Sequence, residues 1–102
     1  MGLEYIADVS NKVFPAATST LIADLIAQPD WVVRERLGNK ISFMFSASAP
    51  RPEGPEDFRV EIDASEIYVA FYGGTRDLEH RVIAFMTNEL ASRGMTVAFE
   101  EP

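Results

Sequence analysis

The chain has 102 residues, 47% of them apolar and 25% charged, with nine basic against sixteen acidic side chains and no cysteine. That length fits a single domain, 1–102, able to bury a core without staples, and the composition is globular rather than disordered. Disulfides and thiolate metal sites are excluded, and a formal charge of −7 repels nucleic-acid phosphates and anionic membranes while drawing in a basic partner.

The charge is unevenly placed: residues 1–50 hold five acids and four bases, residues 51–102 eleven and five. No apolar run approaches the roughly 20 residues that span a bilayer. Met1 to Ser10 lack the basic start and apolar stretch of a signal peptide. A cytoplasmic home is compatible with the lack of cysteine.

Leu3 to Val9 alternates, with Leu3, Tyr5, Ala7 and Val9 on one side, and reads as a strand. Phe14-Pro15 opens a helix, because proline suits the first turn, where its missing N–H costs nothing. Ala17, Leu21, Ile22, Leu25 and Ile26 form its apolar stripe, and Pro29 ends it near Gln28. Trp31 to Arg36 alternates again, placing Trp31, Val33 and Glu35 on one face and Val32, Arg34 and Arg36 on the other. Gly38-Asn39 marks a tight hairpin turn. Ile41, Phe43 and Phe45 form the apolar face of the next strand, against a half-polar face of Ser42, Met44 and Ser46.

Residues 48–57 hold three prolines and a glycine, and this loop is expected to be mobile. Phe58, Val60 and Ile62 then alternate with Arg59, Glu61 and Asp63. After a turn at Ala64-Ser65, Ile67, Val69 and Phe71 alternate with Tyr68, Ala70 and Tyr72. Thr75 or Asp77 caps a second helix whose stripe is Leu78, Val82, Phe85, Met86 and Leu90, flanked by Ile83. Arg93 suits the last turn and Gly94 stops it. Met95, Val97 and Phe99 read as a final strand. The order is β-α-β-β-β-β-α-β, which predicts an α+β two-layer sandwich: a mostly antiparallel sheet, two helices on one face, and the other face partly open.

Few residues suggest chemistry. His80 lies three positions after Asp77 on the second helix, a spacing compatible with a general base, but no nucleophile motif accompanies it. Glu61 and Asp63 share a strand face and could bind a divalent cation or share acid–base work; Arg59 on the same face makes a solvated ion-paired surface the simpler reading. Gly73-Gly74-Thr75 precedes a helix without the lysine or glycine spacing of a phosphate loop. No catalytic residue, cofactor or metal is therefore expected. Tyr68 and Tyr72 are more telling. If Ile67, Val69 and Phe71 are core, both tyrosines stand on the open face, joined by Met44 and ringed by Glu61, Asp63 and Arg59. That is the composition of a protein-binding surface.

In size, acidity, lack of cysteine and a βα…αβ frame along the whole chain, the sequence resembles the small immunity proteins that bacteria encode beside secreted toxins. The resemblance implies a cytoplasmic, non-enzymatic protein that binds one cognate toxin and occludes its active site. An acidic inhibitor would be steered toward a basic cleft. The implied contact residues are Glu61, Asp63, Tyr68 and Tyr72, with Glu53, Glu56 and Asp57 on the proline-rich loop as a second patch. Neither nucleic acid nor membrane is an expected partner; a homodimer is compatible, because edge strands must be protected. The alternatives are a chaperone for a secreted effector, and a small enzyme using Asp77 and His80 or Glu61 and Asp63.

Overall fold

Seven elements make the fold: β1 (Leu3–Asp8), α1 (Pro15–Ile26), β2 (Trp31–Leu37), β3 (Lys40–Phe45), β4 (Phe58–Ile62), β5 (Glu66–Phe71) and α2 (Arg76–Ser92). The computed structural model describes residues 3–9, 15–46, 56–63 and 65–101, with the side chains of 15–19 excepted. The five strands form one antiparallel sheet in the order β1-β5-β4-β3-β2. The central four make a meander, as short links dictate, and β1 docks outside β5. β1 and β2 therefore lie at opposite edges, and α1 connects them across one face. No helix is long and apolar enough to cross a membrane among the described residues.

That face is the core. Register places Leu3, Phe71, Phe58, Phe43 and Val33 in a row across all five strands. Phe43 stacks on Phe58 at 4.8 Å, and Phe58 meets Phe71 at 5.7 Å. Each fully buried phenylalanine contributes about 1.5–3 kcal/mol relative to water. Leu21, Ile22 and Leu25 of α1 and Val82, Met86 and Leu90 of α2 complete the same cluster. Trp31 bridges the layers: its ring meets Phe85 of α2 edge-on at 5.7 Å, and its indole N–H donates to Leu25 O at 2.8 Å.

The caps match the chain's local chemistry. Thr75 Oγ1 accepts from Leu78 N, with Asp77 and Glu79 in the first turn of α2. Arg93 at the other end clamps the helices together. It donates to Asp24 Oδ2 at 2.6 Å and Thr20 Oγ1 at 3.0 Å on α1, and to Glu89 O at 2.7 Å on α2.

Three sequence expectations change. In β2 the pairing with β3 skips a residue between Val33 and Glu35, leaving Arg34 as an extra residue. A β-bulge reverses the side-chain phase beyond it, so Glu35 joins Val32 and Leu37 on the open face, not Trp31 and Val33. In α1, Ile26 is 37% exposed, outside the buried stripe. After α2, Met95 is buried and Val97 and Phe99 pack on the core, but the pairing with β1 is reduced to one antiparallel bridge, Ile6 to Glu100. Of the loop 48–57 expected to be mobile, residues 48–55 lie outside the described residues.

Candidate functional site: the open face of the sheet

The face that neither helix covers is built from the residues alternate to the core set. One row runs Ile6, Tyr68, Glu61, Lys40 and Leu37; the next runs Glu4, Ala70, Arg59, Ser42 and Glu35. Asp8 beside Glu66 closes one end, and Val32 beside Met44 lies toward the other, where Tyr72 follows β5. The acids Glu4, Asp8, Glu35, Glu61 and Glu66 outnumber Lys40 and Arg59, so this face carries part of the chain's negative charge.

Arg59 is its organising cation. Its Nη2 donates to the Tyr72 hydroxyl at 3.0 Å, and its guanidinium carbon lies 5.8 Å from the Tyr72 ring centroid. Its Nε is 3.3 Å from Glu61 Oε2, an ion-pair contact without hydrogen-bond alignment, and its Nη1 is 3.7 Å from Glu56 Oε1. Lys40 Nζ adds a long contact of 3.9 Å to Glu61. Such half-exposed pairs contribute about 0–1 kcal/mol each to stability. Their larger effect is to hold the Tyr72 ring against the sheet while leaving it 48% exposed. An aromatic surface that is already ordered loses little entropy on binding.

Tyr68 is held differently. Its hydroxyl donates to the Glu4 carboxylate on the neighbouring strand. That hydrogen bond, aided by burial and the negative charge of Glu4, pushes the phenol up to about 12. Val32 and Leu37, 40% and 65% exposed, extend the face with apolar surface toward β2. Met44 does not: it is 3% exposed, and Ser42 and Ala70 beside it are also buried.

Of the residues singled out from sequence, Glu61, Tyr68 and Tyr72 come together around Arg59. Asp63 is elsewhere engaged. Its Oδ1 accepts from Ser65 N and Glu66 N at 2.8 Å and from Ser65 Oγ at 3.0 Å. Those hydrogen bonds hold its carboxyl below the ordinary carboxylate range and close the β4–β5 turn. Asp57 is also structural: Oδ2 accepts from Phe45 N at 2.8 Å, and its carbonyl accepts from Tyr72 N at 2.8 Å and Gly73 N at 3.1 Å. Glu56 reaches the face through Arg59, while Glu53 lies outside the described residues.

The sequence reading missed Glu4, Glu66, Val32 and Leu37. Alternation alone could have placed Glu4 opposite Tyr5; its meeting with Tyr68 needed the strand order. Asp77 and His80 are both exposed on α2, which packs on the helix face of the sheet, and no hydrogen bond or ion pair joins them. No cluster of three or more metal-ligating side chains occurs among the described residues. A groove of about 440 Å³ runs between Ile6 and Asp8 of β1 and residues 96–101, lined by Glu100 and Glu101 among others. Comparison with known proteins gave no match to a family model, a curated protein or a solved structure.

Proposed function

We propose that this chain is a protein-binding module whose recognition surface is the acidic open face of the sheet, and that its partner is a basic protein. The observation that carries the reading is the Arg59-buttressed Tyr72, exposed beside Tyr68 and set among Glu4, Glu61 and Glu66. Ordered tyrosines next to an arginine are the side chains that dominate binding energy at protein interfaces. The surrounding carboxylates supply long-range attraction for a cationic partner.

The finer form of the proposal is an immunity role: the partner is a secreted toxin with a basic active-site cleft, which the open face occludes. It draws on the resemblance in size, charge and frame described above. The test is capture of the tagged protein's partner from its own lysate, eluted in steps of rising salt. The reading expects one stoichiometric basic protein, released at high salt and toxic when expressed alone. A lysate proven to contain the neighbouring gene products that yields no such protein contradicts it.

A further inference from the structure

We infer that β2 is a self-complementary edge, and that two copies of this chain pair antiparallel through it to form one continuous sheet. This inference does not rest on the proposed function, because it concerns the edge of the sheet, not the tyrosine face. Among the described residues, β2 lies at the end of the sheet with β3 on one side only.

The extra residue at Arg34 determines which backbone groups point outward. Asp30 O accepts from Ser46 N at 2.9 Å, and Phe43 O accepts at 2.8 Å from Asp57 N, just before β4. Bonding alternates along an antiparallel strand, so Val33, before the bulge, turns its N–H and C=O away from β3. Beyond the bulge the parity reverses and Arg36 does so. Outward groups on an ordinary strand are two residues apart; here they are three apart. A regular incoming strand cannot match that spacing, whereas a second β2, carrying the same extra residue, can.

Side chains select the register. Pairing Arg34 with Arg34 of the second copy, or Glu35 with Glu35, sets like charges opposite each other, which is destabilising. Either register also opposes a residue of the open face to one of the helix face. Pairing Arg34 with Glu35 of the second copy removes both faults. Opposite charges then meet twice about the two-fold axis. Val33 meets Arg36, both on the helix face and both outward-bonding. Val32 meets Leu37, both on the open face, covering two of the most exposed large apolar side chains of the described residues. The run Arg34-Glu35-Arg36 thus discourages foreign strands while admitting a copy of itself.

Sedimentation velocity over about 1 μM to about 1 mM chain, a span covering ordinary dimer affinities, tests this. Wild type is expected to reach twice the chain mass. Arg34→Glu and Glu35→Arg, each checked for retained fold by circular dichroism, are expected to stay monomeric alone at concentrations where wild type is dimeric. An equimolar mixture of the two is expected to form a heterodimer, and the double swap R34E/E35R to restore the homodimer. A wild-type protein that stays monomeric throughout overturns the inference. So do single variants that dimerise like wild type, or a folded double swap that stays monomeric.

Discussion

Gly74 sits at φ 86°, and a Cβ there would lie 2.5 Å from Phe45 Cε2 and 2.8 Å from Cδ2. Phe45 is fully buried, so its ring has no room to retreat. Replacing Gly74 with alanine combines left-handed strain with overpacking, and the expected loss is about 2–3 kcal/mol by urea denaturation. Asp63 acts through hydrogen bonds that need its charged form. Its folded pKa is depressed, so its contribution is present above the ordinary carboxylate range and is lost as pH falls through the folded value. Asp63→Asn should flatten that part of the acid limb of a stability–pH curve. Tyr68 has the opposite sense. Its folded pKa is raised from 10.0 to about 12, so its contribution is complete below pH 10 and fades between 10 and 12. Glu4→Gln removes the acceptor's charge, and the Tyr68 phenolate should then appear at lower pH in an absorbance titration.

At the level of elements, Trp31 joins the layers and Arg93 joins the two helices. Trp31→Phe keeps a ring between Phe58 and Phe85 but removes the shorter of two hydrogen bonds to Leu25 O, leaving only Gln28 N at 3.4 Å, which should cost about 1 kcal/mol in thermal or chemical unfolding. Arg93 holds the Asp24 carboxyl below its ordinary range by hydrogen bonding, while the nearby Asp24 carboxylate raises Glu89. The alternation of β3, β4 and β5 was legible because each strand has one face against helices and one that is not, so period two survives in the sequence. β2 was legible only as far as Val33. A bulge has no period and no obligatory residue, so nothing in Arg34-Glu35-Arg36 announces the phase change. The last segment alternates as a strand would, but it reaches β1 at one bridge only. Apolar Met95, Val97 and Phe99 are explained by packing on the core, a need that coil and strand can both meet.

For the whole molecule, the fold places two layers back to back: helices on the aromatic core face, acidic groups and tyrosines on the other. The phase of the β4–β5 hairpin was readable, and with it the placing of Tyr68 and Tyr72 on the open face. The cluster itself was not, because Glu4 is 64 positions from Tyr68 in sequence and meets it only through the β1–β5 pairing. Separating Asp63 from Glu61 likewise required the turn, where backbone N–H groups claim the carboxylate. The most direct test of the open face is the affinity of the purified captured partner for four variants, by calorimetry at fixed low salt. Tyr72→Ala and Glu61→Lys are expected to weaken binding by about 1–2 kcal/mol each, roughly 5- to 30-fold. Asp77→Asn and His80→Ala, on α2 and not on the sheet's open face, are expected to bind as wild type. Full affinity in both open-face variants, or a loss confined to the α2 variants, would contradict the assignment of the sheet face as the binding surface.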